Sequence, residues 1–495
     1  MAIPRLTRTH IISLAILLGT ASLLAAGARE SSDRNIPAKA AAWTLSGTAQ
    51  APASFAILDV TVIPMDRQRV LPNQTVVVRE GRIVSVGPAS RVSVPGDAVR
   101  IDGRGKYLVP GLAEMHAHVQ GPQAPNSEEL NRDIMFLYVA NGITTIRAML
   151  GAPNQLVLRE KLTRGEVVGP AMYVAAPSLN GQTAPDPVVA EKLVRAHKQA
   201  GYDLLKIHPG LNSPAYDAIV RTARDVGITW AGHVSSQIGI ERILETRQST
   251  VDHLDGYIEG AASDEMKRRM ISGDRAVSLP EMWRSVTDAR MRDLARRTRL
   301  AGVWNVPTMF LWESFSAAGS PEEWARRGEM KYAPKQWVDN WINQKQSRIQ
   351  SDARNGVSAA DAVLHIQLRR RMLKALADEG ALLLMGTDSP QMFNVPGFAL
   401  HRELQVAIEA GLTPFQVLES GTKNVGLYVA RDLKQDGRFG TVTAGSRADL
   451  VLLNANPLQS IANLADRAGV MARGRWLSRA DIDAGLAALA GRYAR

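Results

Sequence analysis

The sequence predicts an α/β protein in which a (β/α)8 barrel is accompanied by a small β-sandwich. Short apolar segments alternate with helix-like patterns through the middle of the chain, and eight such segments can be counted. Strand–helix alternation is typical of a parallel sheet, and eight repeats are typical of a closed barrel. β-rich pieces of similar texture, "QTVVVREGRIVSVGP" and "FGTVTAGSRADLVLLNANP", stand on either side of this region. A doubly wound sheet is the alternative for the middle region.

The overall composition is that of a globular protein with a large core. The chain has 495 residues, of which 45% are hydrophobic and 22% are charged, enough for one large barrel and a smaller unit. It contains no cysteine, so a bound metal would have to be held by nitrogen and oxygen. The formal charge is +11, but the basic residues are interspersed with acids and aromatic residues make up only 5%. We therefore expect no nucleic-acid partner.

The first residues have the pattern of an export signal. Arg5 and Arg8 precede the apolar run "IISLAILLGTASLLAA", and small residues follow at 26–28. This pattern predicts a signal peptide over residues 1–28, removed on export to a periplasmic or secreted location. Residues 29–53, rich in Ala, Ser, Gly and Pro, are predicted to be a flexible tether. An uncleaved membrane anchor is the alternative; after cleavage no stable anchor is expected.

The rest of the chain divides into four predicted parts. The small β-sandwich is predicted to combine residues 54–107 with residues 436–480, and the barrel to cover residues 108–435. A Trp-rich, charged and helical insertion at about 315–357 follows the seventh strand, where it could form a lid or an oligomer contact. Residues 481–495 are predicted to form a helical tail, and the protein is expected to be a homo-oligomer.

The eight barrel strands are predicted within short apolar segments that are bounded by turn residues or helical patterns. In chain order these segments are "LVPGLAEMHAHV", "GITTIRAML", "AMYVAAPSL", "YDLLKIHP", "GITWAGHV", "STVDHLDGY", "VWNVPTMFL" and "ALLLMGTDS".

Polar residues stand at the ends of five of these strands, where barrel enzymes place their active sites. They are His116 and His118 after strand 1, Lys206 after strand 4, His233 after strand 5, His253 after strand 6 and Asp388 after strand 8. Imidazoles and a carboxylate suit Zn²⁺ and related divalent ions.

Lys206 needs a further condition, because an ammonium has no lone pair for a metal. Conversion to a carbamate by CO₂ would give two oxygens that can bridge two ions. Taken singly, each of the six residues has an ordinary structural explanation: a hydrogen-bonding histidine, a salt bridge at the barrel rim, or a helix N-cap at Asp388. Taken together, they predict a metal site.

The same segments resemble the amidohydrolase superfamily. "PGLAEMHAH", "LLKIH", "AGHV", "VDHLDG" and "LLMGTDS" are similar to its strand-end motifs, and the likeness is closest to the imidazolonepropionase-like and metal-dependent dipeptidase (prolidase-type) branch. The resemblance implies two divalent ions, with zinc expected. His116, His118 and Asp388 would hold the buried ion, His233 and His253 the exposed ion, and carboxylated Lys206 would bridge them. Glu114 departs from the aspartate that many relatives have at its position.

The activity implied by this resemblance is hydrolysis of a carbon–nitrogen amide or peptide bond in a dipeptide or an N-acyl amino acid. Metal-bound hydroxide would attack the carbonyl while Asp388 carries the proton to the leaving nitrogen. Deaminases of the superfamily typically have a glutamate three residues after the strand-5 histidine, where this chain has Ser236, and lack the strand-4 lysine. A lactonase or esterase, a deaminase, and a non-catalytic metal-binding protein are the alternatives.

Such substrates carry a free carboxylate that needs a hydrogen-bond donor or a cation. We predict that Tyr257 and His208 hold this group, because each lies close to a candidate ligand in the sequence. Arg147, placed at the end of strand 2, is a further candidate, with a rim salt bridge as its alternative.

Overall fold

A computed structural model of the chain describes residues 54–271, 274, 277–317 and 319–494. The predicted signal peptide and tether lie outside the described residues. The described strands are β1 Ser54–Val62, β2 Leu71–Arg79, β3 Arg82–Pro88, β4 Val99–Asp102, β5 Tyr107–Pro110, β6 Leu112–Ala117, β7 Ile143–Ala148, β8 Ala171–Val174, β9 Leu204–Ile207, β10 Thr229–Gly232, β11 Thr250–Asp252, β12 Trp304–Val306, β13 Leu382–Leu383, β14 Leu450–Leu453, β15 Arg467–Ala472 and β16 Arg475–Ser478.

The described α-helices lie mainly between the strands of the middle region. They are α1 Ser127–Ala140, α2 Pro153–Thr163, α3 Pro187–Gln199, α4 Ser213–Val226, α5 Gly239–Thr246, α6 Tyr257–Gly260, α7 Asp264–Ile271, α8 Leu279–Arg284, α9 Asp288–Ala301, α10 Met309–Ser316, α11 Pro321–Ala325, α12 Lys335–Arg354, α13 Ala359–Asp378, α14 Phe398–Glu409, α15 Pro414–Ser420, α16 Lys423–Tyr428 and α17 Arg479–Arg492. Short 3₁₀ helices at Gly328–Tyr332 and Ile461–Ala465 and a π-helical turn at Val429–Leu433 complete the helical segments described.

The N- and C-terminal β segments form one eight-stranded sheet. Its strands follow the order β16-β15-β14-β5-β1-β2-β3, and β4 pairs with β1. The two parts of the chain meet where β14 runs antiparallel to β5, with Leu452 opposite Leu108. Alternate residues of these strands, among them Ile57, Leu108 and Leu450, are buried in a shared apolar cluster. The pairing confirms that the two segments share a sheet, and a two-layer sandwich stays a prediction.

All eight strands predicted for the middle region are present as β6 to β13. They form parallel sheets in chain order, β6-β7-β8 and β9 through β13. Isolated parallel bridges link the two sheets at both edges: Ala117 pairs with Ser389, and Ala175 pairs with Leu204. A doubly wound sheet reverses its strand order at a switch point, whereas the strands here follow one another in sequence.

The floor of the strand assembly is apolar. Leu204 precedes Lys206 by two positions in β9, so the two share one face of that strand, and Ala231 precedes His233 by two positions at the end of β10. Leu204 and Ala231 are fully buried in a cluster that includes Trp304 and reaches Tyr428 from α16. The polar side chains that follow them in the sequence therefore stand one layer above a packed apolar base.

The insertion predicted after the seventh strand lies in a segment whose helices run from α10 to α12. Trp324 and Trp341 from the insertion lie 6.0 Å and 5.9 Å, centroid to centroid, from the ring of Phe393. Phe393 belongs to the loop after the eighth strand, five residues beyond Asp388. The insertion is thus packed against the segment that carries one candidate ligand, and its role as a lid stays a prediction.

Lys345 of α12 makes the stability of the insertion depend on pH. Its ammonium is buried and donates to the carbonyls of Ser314 and Ala317 at 2.9 Å and 3.1 Å, beside the ring of Trp324. Burial lowers the pKa of Lys345 from 10.5 to about 8. Between these values the unfolded chain binds a proton that the folded chain does not, so this lysine raises the free energy of unfolding as pH rises from about 8 to 10.5.

Urea unfolding of the wild type and of Lys345→Met at several pH values checks this expectation. The free energy of unfolding of the wild type, relative to that of Lys345→Met, should increase between about pH 8 and pH 10.5 and stay constant below about pH 8. A difference that is flat from pH 7 to pH 10 would show that Lys345 is not desolvated in the native state.

The predicted C-terminal tail is the helix α17, which packs against α1. Arg492 and Tyr493 contact the carboxylate of Asp133, at 2.8 Å from Arg492 Nη1 and 2.5 Å from the Tyr493 hydroxyl. A Cβ at Gly485 would stand 2.1 Å from the ring of Phe136, so only glycine permits this approach. None of the described helices, α17 included, combines the length and the apolar character needed to cross a membrane.

Candidate metal centre

The structure brings the predicted ligands from distant strands to one place. His116 Nε2 lies 3.2 Å from Lys206 Nζ, and His118 Nε2 lies 2.5 Å from Asp388 Oδ1. His116, His253 and Asp388 each offer one ligand atom, and these three atoms lie within 4.8 Å of one another. His233 joins through ring contact, since its centroid is 4.4 Å from that of His253. All six predicted ligands therefore belong to one cluster.

Burial gives these side chains the protonation states of metal ligands. Burial lowers the pKa of His116 and His233 well below the ordinary value, and that of His253 to about 4, so the rings are neutral and each has a lone pair. Burial opposes ionisation of Asp388, but the neighbouring His116 and His118 hold the pKa of this carboxyl below its usual value. Neutral imidazoles around a carboxylate form a donor set that fits a divalent ion.

One ring nitrogen of His253 lacks a partner among the described residues. His253 Nε2 is buried and makes no hydrogen bond to any of the described residues, whereas its Nδ1 lies 2.9 Å from the Thr308 hydroxyl. A buried polar atom without a partner is costly and is rare in native proteins. A metal ion at this nitrogen would remove the cost, so the orphaned atom supports the fit of a metal.

The backbone is held in an unusual conformation at two ligand positions. His253 and Asp388 have φ values of 62° and 63°, in the left-handed region that non-glycine residues seldom adopt. The Asp388 N–H donates to the His116 carbonyl at 2.7 Å, which fixes this turn against β6. Such strain persists where the surrounding structure imposes it, and it is concentrated at functional sites.

Carboxylates fix the orientation of two of the histidine rings. His116 Nδ1 lies 2.9 Å from Asp252 Oδ2, and His233 Nδ1 lies 2.7 Å from Asp255 Oδ2. Holding Nδ1 in this way leaves Nε2 of each ring for a metal. Our sequence reasoning missed both acids, although Asp252 and Asp255 flank His253 within the segment "VDHLDG".

Glu114 ties the first strand to the segment that carries Asp388. Its Oε1 accepts the N–H groups of His116 and Thr387 at 2.9 Å and 2.8 Å, and its Oε2 accepts the Thr387 hydroxyl at 2.5 Å. Burial raises the pKa of Glu114 to about 8 in spite of these bonds. The glutamate thus connects the two backbone segments that hold His116 and Asp388.

The family model for the amidohydrolase family matches residues 107–477, which is most of the chain. The chain belongs to the amidohydrolase family. The imidazolonepropionase of Salmonella agona (strain SL483) is 24% identical in an alignment of 271 positions that covers 42% of this chain and 66% of that protein. This chain therefore spans slightly less than two thirds of that relative's length.

Solved structures resemble this amidohydrolase over most of its length. A bottromycin amidohydrolase superposes with a TM-score of 0.68 at 22% identity, covering 90% of this chain and 91% of the other. A Xaa-Pro dipeptidase solved with bound methionine superposes with a TM-score of 0.61 at 18% identity, covering 86% of this chain and 100% of the other. At these identities the likeness shows the fold.

Arg147 of the amidohydrolase lies inside β7 and is fully buried, so it does not line the rim of the strand assembly. Its Nε donates to the Met115 carbonyl at 2.7 Å, Nη1 to the Tyr428 hydroxyl at 3.0 Å and Nη2 to Asp252 at 3.2 Å. Its donors are therefore engaged within the core, and the geometry gives no support to the predicted contact with a substrate carboxylate. Arg147 instead holds the carboxylate that orients His116.

Tyr257 is also placed differently from our expectation. Its side chain is fully buried, and its hydroxyl lies 2.6 Å from Asn305 Oδ1 and 3.0 Å from the Thr298 hydroxyl. The chain turns sharply after β11, with left-handed backbone at His253, Leu254 and Gly256, so Tyr257 opens α6 and points into the core. The structure thus gives no support to its predicted contact with substrate.

Replacing Tyr257 with phenylalanine should therefore change stability and leave substrate binding intact. Loss of the hydroxyl leaves Asn305 Oδ1 without this donor, which should lower the free energy of unfolding by about 1–2 kcal/mol. Urea unfolding and steady-state kinetics on the same preparations measure both effects. A strong rise in KM with unchanged stability would restore the substrate role for Tyr257.

His208 is the predicted substrate residue that lies beside the cluster. Its ring centroid is 4.7 Å from that of His233, and its Nδ1 lies 3.2 Å from the Ser178 hydroxyl. Burial lowers the pKa of His208 to about 3, so the ring is neutral at physiological pH. It can offer a substrate a hydrogen bond but no positive charge.

Proposed function

We propose that this amidohydrolase is a metal-dependent enzyme that hydrolyses a carbon–nitrogen amide or peptide bond in a dipeptide or an N-acyl amino acid. The observation that carries the proposal is the buried cluster of neutral imidazoles, one carboxylate and one lysine at the ends of parallel strands. The wider proposal includes closure of β6–β13 into a (β/α)8 barrel through the bridges at both edges, and export from the cytoplasm.

Six residues of the cluster would hold two divalent ions, for which we propose zinc. As the family resemblance implies, His116, His118 and Asp388 would hold one ion, and His233 and His253 would hold the other. Lys206 stands beside His116, is buried, and has no carboxylate of the described residues within ion-pair distance. A buried lysine without an anionic partner is unfavourable as an ammonium. Reaction of its amine with CO₂, with loss of one proton, would turn it into a bridging carbamate.

Divalent ions held there would activate water for attack and polarise the amide carbonyl. Asp388 would accept the proton released by the attacking water and pass it to the leaving nitrogen, so that the carbon–nitrogen bond breaks as an amine leaves. The contact between Asp388 and His118 keeps this carboxylate in position, and the Arg147–Asp252 pair keeps His116 in position. His208 would offer a hydrogen bond to the substrate carboxylate.

Two features favour this reaction over deamination. Ser236 stands three residues after His233 and is exposed, so the deaminase glutamate has no counterpart at this position. Lys206 is present and lies in the cluster. An amide or peptide substrate also agrees with the names of the dipeptidase and amidohydrolase that share the fold.

One screen of metal-loaded protein tests the proposal. Dipeptides, N-acyl amino acids, lactones and aminopurines are offered at equal concentration, and bound metal is measured on the same sample. We expect turnover of dipeptides or N-acyl amino acids and about two ions per chain. Turnover of lactones alone, or ammonia release from purines alone, would replace the proposed reaction. Less than one ion per chain after metal-replete purification would contradict a two-metal enzyme.

A further inference from the structure

A cavity of about 430 Å³ lies at the N-terminal ends of two of the parallel strands, β8 and β9. It is lined by Ala171, Met172 and Tyr173 at the start of β8 and by Gly201 and Asp203 just before β9. The metal ligands stand at the opposite, C-terminal ends of the same set of parallel strands. This basal cavity therefore belongs to a different end of the strand assembly, and its volume is in the range of small-molecule sites.

Arginines dominate the charge of the basal cavity. Arg159, Arg447 and Arg473 line it, and Asp203 is the acid among its lining residues. Asp203 is already neutralised: its Oδ2 accepts from Arg159 Nη1 at 2.8 Å, and its Oδ1 accepts from Gln435 Nε2 at 2.6 Å. The residues that line the cavity therefore carry a net positive charge.

Arg447 is likewise committed to protein partners. Its Nε donates to Asp449 Oδ2 at 2.5 Å, and its Nη2 donates to the Thr145 hydroxyl at 2.8 Å. Its guanidinium also stacks on the Phe439 ring, 4.2 Å from the centroid. The Arg447 side chain thus lines the cavity in a fixed position, and we do not expect it to be the main donor to a ligand.

Arg473 is different. It sits in the turn between β15 and β16 with φ 51°, and its backbone N–H donates to Asp449 Oδ1 at 2.8 Å. Its guanidinium makes no ion pair or side-chain hydrogen bond with the residues that the structure describes. Burial lowers the pKa of Arg473, the nearby Asp449 carboxylate opposes this, and the charge of Arg447 adds to it. A partly desolvated guanidinium without an ion pair is an unfavourable arrangement that a bound anion would relieve.

We propose that the basal cavity binds a small organic anion whose carboxylate or phosphate group pairs with Arg473. A guanidinium presents planar, paired donors that match either oxyanion. The apolar part of the ligand would lie against Met172 and Tyr173, which are buried at the cavity wall. This binding site is independent of the metal cluster and of the reaction proposed for it.

Calorimetric titration of metal-loaded protein with inorganic phosphate and with benzoate tests the site and distinguishes the two oxyanions. Three variants are compared with the wild type. Arg473→Met removes the proposed cation. Thr163→Glu adds a negative charge at the exposed rim of the basal cavity. Among the described residues, the Thr163 hydroxyl donates a hydrogen bond only to the Arg159 carbonyl. Arg104→Met, a highly exposed arginine paired with Asp102, is the matched control.

The wild type should bind at least one of the two anions at a site that Arg473→Met weakens by at least tenfold. Thr163→Glu should lower the affinity of the same site for the anion. This second variant still tests the site if Arg473→Met fails to fold. Arg104→Met should bind as the wild type does. Anion binding at the metal cluster would survive both cavity variants. The proposal is overturned if the wild type shows no site tighter than about 1 mM, or if both cavity variants retain full affinity.

Discussion

Replacing Lys206 with alanine is expected to remove the bridge between the two proposed ions and with it most of the activity. The side chain is buried beside His116 Nε2, so its loss leaves a cavity within the donor cluster. We expect bound metal to fall from two ions per chain to one or fewer. We also expect kcat/KM to fall by at least about a thousandfold, or about 4 kcal/mol of transition-state stabilisation.

Chemical rescue makes this result specific to the carbamate. Acetate or propionate can enter the space left by Lys206→Ala and supply two oxygens, so part of the metal content and activity should return when either is added. Lys206→Arg should stay inactive with the same additives, because arginine fills the space and forms no carbamate. Lys345→Met, which alters another buried lysine outside the cluster, should keep both ions. Full metal loading of Lys206→Ala would refute the bridging role.

Replacing Asp388 with asparagine should have the second large effect. The amide keeps the shape of the carboxylate but cannot carry a proton from water to the leaving nitrogen, and it is a weaker metal ligand. We expect kcat to fall about 10²- to 10⁴-fold, the range typical of lost general acid–base catalysis. Bound metal should fall as well, because His118 and His116 would face a neutral side chain.

Asp436→Asn is the matched control, since this half-exposed carboxylate pairs with Arg82 on the small sheet. Its kcat and metal content should equal those of the wild type. Metal analysis and kinetics with the substrate found in the screen provide the two measurements. An Asp388→Asn enzyme with normal kcat would remove Asp388 from the proton-transfer step, even if metal binding were weakened.

The strands and the ligand cluster could be predicted because each relies on local sequence. Each predicted ligand lies within or shortly after an apolar segment, and neighbouring parallel strands bring their C-terminal ends to one edge of the sheet. His116 from the first strand and Asp388 from the eighth are therefore neighbours, although they lie far apart in the chain. Composition and spacing are sufficient for this level of description.

The partners of the ligands could not be predicted in the same way. Whether Asp252 faces His116 or another ring depends on the pleat of β11 relative to β6, which no local pattern fixes. The same holds for Arg147, whose position inside β7 sends its side chain to Asp252 rather than to the rim. Tyr257 lies close to His253 in the sequence, but the left-handed turn at His253 and Leu254 sends its side chain into the core.

The small sheet also determines the order in which this chain can fold during synthesis. β1, β2 and β3 are consecutive and can pair as soon as they leave the ribosome. β5 can pair with β1, but its other edge must wait for β14, and Arg82 meets its partner, the Gly445 carbonyl, 363 residues later in the chain. Until then Leu108 and Ile57 lack the part of their apolar cluster that Leu450 and Met471 supply. Such delayed long-range pairing is slow and exposes the nascent chain to aggregation, so efficient production of this protein should depend on chaperones that shield its first strands.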